Sequence, residues 1–179
     1  GVSVMSLDHL LIILFFPVTI AFGIGIFLLL RRRARNREFD ERQRLARGKA
    51  YQAAFWTFVI YSLFSAFMND VAEIQWADST TGTFMGLYLA IAVFAIICII
   101  TDSFFSFRDR PGPYFTLFLI VIAANLMIFL LNLADGTPMA TNGLFNTHSL
   151  NLFAVIALIP IYVTLLAKYL YDKKHAETE

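Results

Sequence analysis

Few side chains in this sequence could do chemistry, and their spacing narrows the choice further. Two imidazoles, His9 and His148, and the carboxylates of Asp8, Asp70, Glu73, Asp78 and Asp135 are of the types that hold zinc or a similar cation. No HxxH, HExxH or calcium-loop pattern joins them. The simpler reading makes them water-facing loop residues, and cation binding there stays open. The lone cysteine, Cys98, lies inside an apolar run. It can form neither an internal disulfide nor a CxxC site, and it reads as a small buried residue. No nucleophile, base and orienting group can be assembled, and no phosphate-binding or dinucleotide glycine pattern occurs. The sequence therefore predicts no enzyme and no cofactor, and it assigns no metal ligand.

The densest chemistry is basic. Residues 31–49 hold nine of the fourteen Lys and Arg residues. Nucleic acid is one partner for such a cluster. Its place between two apolar runs favours anionic lipid headgroups instead, worth about 1 kcal/mol per base. Arg31, Arg32, Arg33, Arg47 and Lys49 are the candidates for that contact. Asp40, Glu41, Arg42 and Gln43 interrupt the bases. Glu38–Arg42 and Asp40–Arg44 are acid-before-base pairs at i,i+4, the favourable order on a helix. One reading is a solvated helix whose surface pairs are worth about 0–1 kcal/mol. The other is a contact site, either for a partner protein or for the ends of the bundle. Arg108 and Arg110 would then face the acids, because no other bases lie on the second basic-side loop.

The elements that must position these groups are set by lipid. Hydrophobic residues make up 59% of the chain and the mean hydropathy is +0.69. A soluble domain sits near about 45–50% apolar, so much of this chain needs a bilayer as its solvent. Five runs approach the roughly 20 apolar residues that cross a hydrocarbon core. They cover residues 10–30, 50–68, 82–101, 114–134 and 150–170, and residues 31–49 read as a surface helix between the first two. In the second run Ser62, Ser65 and Asn69 share one helical face and are expected to point at other helices. Gly82, Gly86 and Ala90 form a small-residue stripe that predicts close helix packing, within the bundle or across a homodimer. Asn125 and Asn132 are one heptad apart, as interhelical hydrogen-bond glue or as the lining of a polar pathway. Lys168 sits where it can snorkel to the interface, and the tail from Tyr171 is expected to fray.

Orientation follows from charge. Alternating the loops puts all fourteen bases on one side and none on the other. By the positive-inside bias, the basic side is cytoplasmic. The expected fold is an all-α membrane bundle of five transmembrane helices in a single domain. Its N-terminus lies outside and its C-terminus is cytoplasmic. No ionisable residue lies deep in a span, which weighs against a proton-coupled pump.

Residues 39–55, FDERQRLARGKAYQAAF, carry a further signal in Asp40, Glu41, Arg42, Gln43, Gly48, Lys49, Ala50 and Tyr51. The segment resembles a group of small bacterial integral membrane proteins of unknown function. In these an Asp-Glu-Arg-Gln segment and a Gly-Lys-Ala-Tyr element precede a membrane helix. The resemblance implies a bacterial inner-membrane location and supplies no activity. The expected function is a non-enzymatic accessory or regulatory component that engages a partner, a membrane or cytoplasmic protein, through its basic cytoplasmic face. The alternative is a small transporter or channel-like protein for a neutral or cationic solute.

Overall fold

The structure is a computed structural model and describes residues 39–105 and 112–176. The expected first span, Arg31, Arg32, Arg33, Glu38, His9, Arg108 and Arg110 lie outside the described residues. Within them the chain forms four long helices, a 3-10 turn and a short hairpin joined by loops. These four described helices are long and apolar enough to cross a membrane.

Helix α1 runs from Glu41 to Asp70 without a break. The expected surface helix and second span are therefore one element over the described residues. Nothing between them can stop a helix. There is no proline, and one interior glycine, Gly48, costs only about 0.5–1 kcal/mol relative to alanine. Asp40 is the N-cap: its Oδ1 accepts from the Gln43 backbone N–H at 2.6 Å. That corrects the expected Asp40–Arg44 pair. A carboxylate satisfies an orphan N–H and faces the positive end of the helix dipole there.

Helix α2 spans Ser79–Ile100, capped by Asp78, whose side chain accepts from the Thr81 N–H at 2.6 Å. It starts three residues before the expected Gly82, because a polar first turn is invisible to hydropathy. Its C-terminus closes with two bonds, Ser103 N–H to Cys98 O at 2.8 Å and Asp102 N–H to Ile99 O at 3.3 Å. Asp102 takes the left-handed position (φ 53°) that usually falls to glycine.

Helix α3 spans Gly112–Ala134 and ends in the same motif, here with Gly136 at φ 70°. Strands β1, Ala140–Thr141, and β2, Leu144–Phe145, pair antiparallel. Asn142 and Gly143 between them both have positive φ, as a tight hairpin turn of this kind requires. A 3-10 turn at Thr147–Ser149 leads into helix α4, Leu150–Ala176, with Pro160 inside it. The helix continues to Ala176, into the tail that composition expects to fray from Tyr171. A Lys168–Asp172 pair at i,i+4 and the Tyr171–His175 ring contact at 4.1 Å support the extra turns.

Helix α2 packs on α1 and on α4, and α3 packs on α4. The buried core is Ala92, Ala95 and Ile99 of α2 with Ile161 and Leu165 of α4. Small residues on α2 let α4 approach, as membrane helices do when packing rather than water drives association. By contrast α3 buries no residue and α1 buries only Ala50. Phe55, Ile60, Leu63, Leu117 and Ile120 are among the large apolar side chains left exposed. In water such surfaces would be an aggregation liability; against acyl chains they are ordinary.

Candidate functional sites at the two ends of the bundle

At one end the corner after α2, residues 101–105, is gripped from two sides. Gln43 Nε2 donates to Asp102 O at 2.6 Å and to Phe105 O at 3.4 Å. Arg47 Nη1 donates to Ser103 O at 3.1 Å. The Arg47 guanidinium also lies 4.6 Å from the Phe39 ring centroid and 5.8 Å from that of Phe94. From α4, Lys168 Nζ sits 3.1 Å from Asp102 Oδ1 and 3.0 Å from Asp172 Oδ1. Ser103 is fully buried, with its hydroxyl near Thr101 Oγ1 (2.9 Å) and donating to Cys98 O at 3.3 Å. The carbonyls at a helix C-terminus carry partial negative charge, so amide and guanidinium donors are the matching chemistry.

This arrangement redistributes the expected roles. Gln43 contacts the bundle; Asp40 caps its own helix. Arg47, expected at lipid headgroups, turns to Ser103 and two rings. Lys168, expected to snorkel, holds two carboxylates. Glu41, Arg42 and Lys49 remain exposed. With Leu45, Ala46 and Thr101 they line a broad open groove. Leu45 is 65% exposed in the middle of it.

The second site lies at the opposite end of α1 and α2. A pocket of about 460 Å³ opens between the second half of α1, the 71–78 loop and the first turns of α2. Ser62, Ser65 and Asn69 line it from α1, and Gln75, Trp76 and Asp78 from the loop. The sequence expects them to point at other helices; Ser62 is exposed and its hydroxyl donates to Phe58 O of its own helix at 2.8 Å. The loop is fixed to the hairpin: Asp78 N–H donates to Phe145 O at 2.8 Å, and Phe145 N–H to Trp76 O at 3.0 Å. Below the pocket Tyr61 lies across the small stripe, its hydroxyl donating to Gly82 O at 2.7 Å. An ideal Cβ on Gly86 would come within 2.7 Å of Tyr61 Cε1. Ala90, one turn further, is buried. The Thr81 backbone N–H, donating to Asp78, holds that carboxyl below the ordinary carboxylate range, so it is ionised at neutral pH.

Asn125 and Asn132 do not join this pocket. Asn125 Nδ2 donates to Val121 O of its own helix at 2.8 Å. Among the described residues no three His, Cys, Asp or Glu side chains converge as a metal site would need, and His148 is exposed. Sequence reasoning missed Gln75, Trp76 and Asp78 as pocket residues; for Gln43 it offered a bundle contact without its acceptors at Asp102 and Phe105. No protein family matches the chain, nor does any curated protein or solved structure.

Proposed function

We propose that this chain is a non-enzymatic, multi-pass protein of a bacterial inner membrane. It acts as an accessory or regulatory component that engages a partner protein through its basic cytoplasmic face. One observation carries the reading. Arg42, Leu45 and Lys49 lie on one face of α1, exposed, while Gln43 and Arg47 on the other face fix the helix to the bundle. A rigid helix end that presents an apolar residue between two bases is a preorganised contact surface. A helix that served only to meet solvent would need no such anchoring. Lipid headgroups at the membrane edge would neutralise the remaining bases.

The test is a photo-crosslinking amino acid in place of Leu45 in the native membrane. A discrete protein adduct is expected at Leu45 and not at a lipid-facing control, Ile60. Adducts to lipid alone at both positions would reject the reading. An adduct of twice the chain mass would make the partner a second copy. The alternative, a small transporter or channel-like protein for a neutral or cationic solute, draws its support from the pocket beside Asn69.

A further inference from the structure

The pocket at the Trp76 end has a chemistry of its own, independent of the partner surface at the other end. We propose that it is a binding site for a small organic ammonium ion. Three features of the lining select this class. First, its charged residue is a carboxylate, Asp78, and no Lys, Arg or His lines the space. An anion would meet that carboxylate with no compensating base. Second, Phe58, Tyr61 and Trp76 form part of the wall. Aromatic faces attract a soft, weakly hydrated cation such as an ammonium. Third, the remaining polar groups are neutral hydroxyls and amides, among them Ser65, Asn69 and Gln75. They can hydrogen-bond a polar tail without adding charge.

Competing ligands fit less well. A bare metal ion needs several hard or imidazole donors at short range, and no cluster of three His, Cys, Asp or Glu occurs among the described residues. A neutral polyol would use the hydroxyls and gain nothing from the charge of Asp78 or from the aromatic wall. The volume of about 460 Å³ lies within the range of small-molecule sites. The cap on α2 uses Oδ1 of Asp78, with the Thr80 N–H and the Thr81 side chain also acting on the carboxyl; a carboxylate's roughly four acceptor sites leave room for one more donor. The surroundings act in the same direction. Asp70, Glu73 and Asp135 lie at the same end, and among the described residues no Lys or Arg does. Such a one-signed field concentrates cations at the mouth.

An ammonium head can belong to a free amine or to a lipid headgroup, since the pocket opens where α1 leaves its apolar stretch. The experiment separates the two. Trp56→Phe leaves Trp76 as the reporter, because the chain has two tryptophans. Choline is titrated into this protein in a maltoside detergent, with Trp76 emission and calorimetry as readouts. Saturable binding is expected for choline and absent for sorbitol and acetate. Asp78→Asn keeps a capping acceptor, because asparagine caps as well as aspartate, so its melting temperature should hold. Its choline affinity should fall about tenfold or more, the loss of a charged hydrogen-bonding partner. Ser65→Phe fills the space from α1 and should abolish binding without touching the cap. In nanodiscs, weaker choline binding with phosphatidylethanolamine present than in pure phosphatidylglycerol assigns the site to a lipid ammonium head. Equal binding in both assigns it to a soluble amine. No binding of choline, or equal binding by the parent and Asp78→Asn, overturns the proposal. So does sorbitol or acetate binding as tightly as choline.

Discussion

Gly86 carries no side chain, and the ring of Tyr61 occupies the space. The built Cβ would stand 2.7 Å from Tyr61 Cε1 and 3.3 Å from Phe58 Cδ2. The Tyr61 ring cannot yield cheaply, since it is also tied through its hydroxyl to Gly82 O. Gly86→Ala should therefore lower stability in detergent by about 1–3 kcal/mol, the usual cost of overpacking. The effect belongs to a pair of residues, so a double-mutant cycle isolates it. In a Tyr61→Leu background the same Gly86→Ala change should cost little. If it costs as much there as in the parent, Tyr61 is not what Gly86 makes room for. Gly82, one turn earlier, has open space around its Cβ position. Two glycines of one stripe thus differ in the room they leave, which spacing in the sequence does not reveal.

At the scale of elements, the first turns of α1 decide how that helix sits. Arg108 and Arg110, the expected partners of its acids, lie outside the described residues. Within them Asp40 serves the N-terminus of its own helix, and Gln43 and Arg47 supply donors to the carbonyl end of α2. Two paired substitutions distinguish the roles. Gln43→Ala with Arg47→Ala removes the grip on residues 102–105. It should cost about 2–3 kcal/mol, from one neutral and one charged hydrogen bond. Asp40→Ala with Glu41→Ala removes a cap and should cost about 1 kcal/mol. Melting temperatures in one detergent check the order, and a larger loss from the acidic pair would refute it. The apolar runs of α2, α3 and α4 were legible because hydropathy over some twenty residues is a strong signal. The polar corner was not. Asp102 holds a left-handed position without being glycine, and Gln43 finds its acceptor 59 residues away. The pocket was half legible. Ser62, Ser65 and Asn69 share a period, whereas Asp78 resembled a loop acid until α2 was seen to begin at Ser79.

At the largest scale, the described residues are organised by charge from one end of the bundle to the other. Gln43, Asp102 and Lys168 meet at one end. The 71–78 loop and the hairpin meet at the other, through Ala77, Asp78 and Phe145. Among the described residues every Lys and Arg belongs to the first end: Arg42, Arg44, Arg47, Lys49, Lys168, Lys173 and Lys174. Four membrane-length helices with bases at one end alone leave two orientations, and the cost of translocating basic loops selects between them. The Lys168 end should therefore face the cytoplasm and the pocket should face outward. Ser79 and Asn142 are exposed at the pocket end, and Lys173 is exposed at the other. Single cysteines at Ser79 or Asn142 should react with a membrane-impermeant maleimide in intact cells. One at Lys173, or at Asn36 among the bases before α1, should react only after permeabilisation. The native Cys98 is fully buried and should stay silent, so no background thiol needs removing. Labelling at Lys173 but not Ser79 in intact cells would invert the protein. The ammonium pocket would then open to the cytoplasm and the Leu45 surface to the outside, where no cytoplasmic partner could reach it.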